Sequence, residues 1–180
     1  MKVLAITGLA GSGKTTAIDA IKDMGLVIIM GDIVREEAKK RNLKYTANNL
    51  GKIAKELRKK EGPDIIAQKC IDLIKNQNQE VIIIDGIRSI FEVNAFRKYW
   101  KFPIISIVAD EKLRLKRLFE RSRSDDPKSI EEIKERDNRE VKFGLKEVLK
   151  VADYRILNNS TIADLKKNTK ELVQNIINNY

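Results

Sequence analysis

The chain has 180 residues, 42% hydrophobic and 34% charged, with 36 Lys/Arg against 26 Asp/Glu and a net charge of +10. That length fits one ordinary domain with a real core, and the composition is globular rather than disordered. With no histidine and one cysteine, Cys70, the chain has no Ser-His-Asp triad, His-metal chemistry, intrachain disulfide or Cys-based zinc site open to it. The basic balance points to anionic partners, either nucleic acid or polyphosphorylated small molecules.

In chain order, Val3–Thr7 is a short apolar run that predicts a buried strand, followed by a glycine-rich loop and a helix over Lys14–Asp23. A second strand is expected at Leu26–Met30 and a helix over Asp32–Lys40. Thr46 is placed to cap a helix over 46–60, whose apolar positions Ala47, Leu50, Ile53, Ala54 and Leu57 share one stripe. A further helix over Asp64–Asn76 begins just after Pro63. Val81–Asp85 reads as a third strand. Ser89 and Glu92 have the spacing of a capping box opening a helix to about Tyr99. Ile104–Ala109 is a fourth strand, and Asp110 caps a helix to about Ser122. Ser129 and Glu132 repeat the capping-box spacing before a long helix that bends at Gly144. A weaker strand at Tyr154–Asn158 and a helix over Thr161–Asn178 close the chain.

Strands alternating with helices predict an α/β fold of three layers around a mainly parallel five-stranded sheet. Two places break the alternation: the consecutive helices of about 32–76 and the polar stretch within about 121–136. Both read as insertions at one end of the sheet. No apolar run approaches the roughly 20 residues of a membrane span. Met1–Thr7 turns polar too soon for a secretory signal, so a cytoplasmic location is expected.

The strongest motif is Gly8-Leu9-Ala10-Gly11-Ser12-Gly13-Lys14-Thr15, a full G-x-x-x-x-G-K-[ST] between a strand and a helix. Such a loop turns successive backbone N–H groups toward an anion, and the helix behind it adds its positive end. Lys14 supplies a mobile charge for the outer phosphates, and the Thr15 hydroxyl is a ligand for Mg²⁺. With Thr16 they form the expected nucleotide-binding set. Val81–Asp85 is an apolar strand ending in a carboxylate, which suits Asp85 to hold Mg²⁺ through water. The expected reaction is phosphoryl transfer from ATP.

Several fragments, in order across nearly the whole chain, resemble the P-loop nucleoside monophosphate kinases and dephospho-CoA kinases. Gly31-Asp32-Ile33-Val34-Arg35 is similar to the G-D-hydrophobic-hydrophobic-R segment of adenylate kinases, which implies that Arg35 holds an acceptor phosphate. Asp85-Gly86-Ile87-Arg88 resembles their D-G-F-P-R segment, one residue shorter, and implies that Arg88 bridges donor and acceptor phosphates. Arg117 and Arg121 match an R-x-x-x-R pair before the lid. The match implies that Arg117 stacks on the donor base and Arg121 reaches phosphate. Arg123-Ser124-Asp125-Asp126 resembles a short lid, with Arg136 as its later arginine. Ala152-Asp153-Tyr154-Arg155-Ile156-Leu157-Asn158-Asn159 is similar to the ending of dephospho-CoA kinases, where it flanks adenine. That family also places an acid where Asp32 lies, as a base for an acceptor hydroxyl.

The resemblance thus implies a kinase for a nucleotide-like acceptor, with Lys14, Asp32, Arg88, Arg121, Arg123 and Arg136 as catalytic residues. Asp32, Arg35 and Arg88 would bind the acceptor, and Thr15 and Asp85 the metal. Plainer roles stay open beside these. Asp32 suits a helix cap. Arg114, Arg117 and Arg121 suit a solvated helix face, and Asp125 and Asp126 a turn. Arg35–Glu61 carries ten Lys/Arg against four Glu, a net +6, which fits a phosphorylated acceptor or a solvated basic surface. A nucleic-acid-associated ATPase is the competing class. It is disfavoured because the Phe and Tyr residues form no stacking platform.

Overall fold

The computed structural model describes residues 1–121 and 129–179, with the side chain of Arg121 excepted. Five strands form one sheet: β1 (Lys2–Thr7), β2 (Leu26–Ile29), β3 (Val81–Asp85), β4 (Ile104–Val108) and β5 (Tyr154–Leu157). Their order is β2-β3-β1-β4-β5 and every pairing is parallel. The helices are α1 (Lys14–Asp19), α2 (Met30–Lys40), α3 (Ala47–Glu61), α4 (Ile65–Lys75), α5 (Ile90–Arg97), α6 (Glu111–Arg121), α7 (Ile130–Lys142), α8 (Leu145–Lys150) and α9 (Ile162–Asn178).

The central strands are apolar on both faces because helices cover both. Val3 and Ala5 of β1, with Ile82 and Ile84 of β3, join a core that also takes in Val34, Ile53, Cys70, Ile71, Val93 and Val148. Leu4, Ile6 and Ile83 point the other way, against Ala17, Ile18 and Ile21 near α1 and Leu165, Val173 and Ile176 of α9. This alternation over a continuous Val/Ile run is the mark of a doubly covered parallel sheet. The result is the three-layer α/β fold expected from the sequence, with a fully rather than mainly parallel sheet. Among the described residues, no helix is long and apolar enough to cross a membrane.

Most elements lie within one or two residues of expectation, and three differences bear on the packing. The helix after the glycine-rich loop stops at Asp19, and the chain to Met24 continues through tight bonds such as Ile21 N–H to Ile18 O. The second helix starts two residues early, at Met30. The long helix near the C-terminus breaks at Gly144 instead of bending. Gly144 has φ +104°, and its Cα faces the backbone of Arg88 and Ser89. The break lets α7 end against the Arg88 loop.

Candidate active site

The sheet order brings the phosphate loop and the acidic strand end together. β1 and β3 are neighbours in register, with Ile6 opposite Asp85. The carboxyl end of β3 therefore stands beside the loop that leaves β1, at the edge where parallel α/β sheets bind ligands. A cleft of about 680 Å³ opens there. Gly8, Ala10, Gly11, Gly13, Lys14, Thr15, Thr16, Asp85, Arg88 and Arg117 line it, as do Arg35 and Arg136.

The loop is braced by one arginine and one asparagine. Ser12 O accepts a 2.8 Å bond from Asn158 Nδ2, and Ala10 O accepts a 2.6 Å bond from Arg114 Nη1. Asp137 of α7 holds Arg114 in turn, at 2.5 Å. Arg114 is thus buried against the loop, which corrects the expectation of a solvated face for this side of α6. Arg117 donates to Asn158 O at 3.0 Å, while its Nη1 is buried without a hydrogen-bond partner. Leu9 packs into the core and Ser12 is buried, so of the loop residues these two do not line the cleft.

Lys14 bonds to Gly8 O at 2.6 Å and Leu9 O at 3.1 Å. Burial pushes its ammonium pKa down, and the charges of Glu140 and Asp85 push it back up. The Asp85 carboxyl is pushed up by burial, against the pull of Lys14, Arg88 and Arg35. Its Oδ1 is buried with no hydrogen-bond partner. A buried, orphaned carboxylate oxygen beside a threonine-bearing phosphate loop fits a hard cation such as Mg²⁺.

The same cleft is lined by Arg35 of α2, Arg58 of α3, Arg88, and Arg136 and Arg139 of α7. Arg139, Glu140 and Phe143 were not placed at the site by sequence reasoning, and Arg58 entered only as one cation of the basic Arg35–Glu61 segment. Glu92 of α5 is fully buried; it accepts from Arg58 Nη2 at 2.7 Å and from the backbone N–H groups of Arg88 and Ser89 at 2.8 and 3.2 Å. The Arg58 guanidinium also lies 4.9 Å over the Phe143 ring. Glu140 of α7 stands 3.5 Å from Arg88 and 3.8 Å from Arg136. Asp32 is not among the residues that line the cleft. It pairs with Arg35 at 2.5 Å, and the two side chains are 57% and 43% exposed. Arg123, Asp125, Asp126 and the side chain of Arg121 lie outside the described residues.

Comparison with known proteins bears on the family and the fold. A family model described as an AAA domain matches residues 7–134. A UPF0200/UPF0201 protein of Archaeoglobus fulgidus is 44% identical over 184 residues, covering 99% of this chain and 57% of that protein. The chain therefore spans little more than half of that relative. A UPF0200 protein of Methanosarcina mazei is 39% identical over 180 residues, covering 98% of this chain and 96% of the relative. Among solved structures, TT1252 from Thermus thermophilus superposes with a TM-score of 0.64 at 19% identity, over 97% of each chain. Shikimate kinase from Acinetobacter baumannii, in complex with shikimate, gives 0.59 at 14% identity, over 99% of this chain and 94% of that one. These two likenesses are of fold. The chain matches the AAA-domain model over residues 7–134, has the P-loop kinase-like fold, and belongs to the UPF0200 family.

Proposed function

We propose that this chain transfers the terminal phosphoryl group of ATP to a phosphate of a nucleotide-like acceptor, most simply a nucleoside monophosphate. The observation that carries the reading is the group of arginines, Arg35, Arg58, Arg88, Arg136 and Arg139, that share one cleft with the phosphate loop. A nucleotide-binding loop alone needs one anion site. A concentration of guanidinium groups in the same cleft suits a second phosphorylated molecule.

Phosphoryl transfer asks the protein for alignment and for neutralisation of charge spread over the moving group. The loop amides from Gly8 to Thr15 hold the donor phosphates, and Lys14 exchanges its two carbonyl partners for phosphate oxygens. Arg88 sits between the halves and stabilises the group in transit, with Arg136 beside it. Arg117, next to Asn158, faces the donor base. Thr15 and Asp85 are the residues to hold Mg²⁺, which when bound neutralises donor phosphate charge. Residues 32–76 form the acceptor-binding insertion and about 121–136 the lid that excludes water.

A phosphate acceptor brings its own nucleophilic oxygen, so no general base is needed. The exposure of Asp32 and its pairing with Arg35 favour this reading over transfer to a sugar hydroxyl. The test is a transfer screen with ATP and Mg²⁺ against AMP, CMP, UMP, GMP and dephospho-CoA, followed by product analysis. Diphosphate formation from at least one monophosphate is expected. Phosphorylation of dephospho-CoA alone would reassign the acceptor class, and no transfer to any would leave the kinase reading without support.

A further inference from the structure

Glu140 is a buried carboxylate in a cleft proposed to receive phosphates. It projects from α7, and the residue is only 7% exposed. A fixed negative charge at that place weakens anion binding, so its presence needs a reason. Its Oε1 lies 3.5 Å from Arg88 Nη2 and 3.8 Å from Arg136 Nε. Both distances exceed those of a directed charge-assisted hydrogen bond. The carboxylate is shared between two arginines rather than locked to one, an arrangement that a competing anion can take apart.

The fold sets this arrangement. Arg136 and Glu140 are one helical turn apart on α7. The break at Gly144 then turns the chain against Arg88 and Ser89, which brings an arginine from another loop to the same carboxylate. A wall of guanidinium groups opposite Lys14 would hold a polyphosphate product tightly, and slow release limits turnover in many phosphotransferases.

We propose that Glu140 is a resident counter-anion of the cleft: it holds Arg88 and Arg136, yields them to phosphates, and takes them back as product leaves. This rests on the phosphoryl-transfer reading, and it assigns Glu140 a positioning role rather than contact with the reacting atoms. Its signature is a substitution that tightens anion binding, which a mere loss of packing does not produce.

The experiment is titration calorimetry with inorganic tripolyphosphate at fixed ionic strength, with thermal melts to confirm folding. Glu140→Gln is expected to bind about five- to tenfold tighter than wild type, because phosphate no longer has to displace a resident carboxylate from Arg88 and Arg136. Glu140→Asp, which retracts the carboxylate and keeps its charge, is expected to lie between, about twofold tighter. In an Arg88→Ala, Arg136→Ala background the effect of Glu140→Gln is expected to shrink below about twofold, because the coupling partners are gone. Equal or weaker binding in both Glu140 variants overturns the role of Glu140, as does an undiminished effect in the double-alanine background. Failure of wild-type protein to bind tripolyphosphate at all removes the phosphate cleft itself and the inference with it.

Discussion

The two halves of the cleft are built by different means. The proposed donor half is a backbone structure: a loop whose amides and positive-φ glycines, Gly8, Gly11 and Gly13, fix its shape, braced by Asn158 and Arg114 on its carbonyls. The proposed acceptor half is a side-chain structure, in which guanidinium groups from separate elements pair with carboxylates: Arg58 with Glu92, and Arg88 and Arg136 with Glu140. A backbone site tolerates almost no change at its glycines but keeps its geometry through most side-chain changes around it. A site made of ion pairs behaves in the opposite way, since each buried carboxylate is a single point on which several donors depend.

The sharpest test of that contrast is a pair of glycine substitutions. Gly13 has φ +104°, and a Cβ there would overlap the amide nitrogen of Asn158 that bonds to Ser12. Gly13→Ala is expected to lower stability by about 2–4 kcal/mol through backbone strain and the lost bond, and to weaken ATP binding by about 100-fold or more. Gly51 lies within α3, where a Cβ would meet only Arg139 at ordinary contact distance, 3.7 Å. Gly51→Ala is expected to raise stability by about 0.5–1 kcal/mol from helix propensity and to leave ATP affinity unchanged. Thermal melts and calorimetry read both; equal damage at the two sites would dissolve the distinction.

Glu92 probes the other half. It takes three donors while fully buried, so Glu92→Gln leaves either Arg58 or the Arg88–Ser89 amides facing an N–H group. The expected cost is about 2–4 kcal/mol of stability, with acceptor KM raised about tenfold and ATP affinity changed less than about threefold. A parallel loss of ATP affinity would show that the halves are one mechanical unit.

The same contrast explains what could be read from sequence. The glycine-rich loop and the Val81–Asp85 strand were legible because both are local: one needs glycines at fixed spacing, the other an unbroken apolar run. The Ser89 capping box and the Thr46 cap were legible for the same reason. Arg58 and Glu92 are 34 residues apart, and nothing in either neighbourhood marks them as partners. Arg114 looked like one more cation on a charged helix, yet Asp137 and the Ala10 carbonyl bury it. For Glu140 a signal existed in Arg136-Asp137-Asn138-Arg139-Glu140, where opposite charges recur at helical spacing. Its position inside the cleft depended on the break at Gly144, where the sequence suggested only a bend.

The smallest expected effect falls on Asp32, and it decides whether the acceptor half contains a base. Asp32 lies in the first turn of α2, where its charge favours the positive helix end. Its pairing with Arg35 is solvent-exposed, and such pairs contribute about 0–1 kcal/mol. Asp32→Asn removes the charge and retains a side chain compatible with a helix start. Because Arg35 lines the cleft and gives up a competing carboxylate in this variant, acceptor KM is expected to stay level or fall by about twofold, with kcat within about threefold of wild type. Removal of a general base lowers kcat by about 10²–10⁴ instead. A loss of that size, with the Gly13→Ala and Glu92→Gln results as expected, would place proton abstraction at Asp32 and make the acceptor a hydroxyl. The proposed acceptor half would then combine ion-pair scaffolding with a reacting side chain, and Arg35 would be the group that orients Asp32.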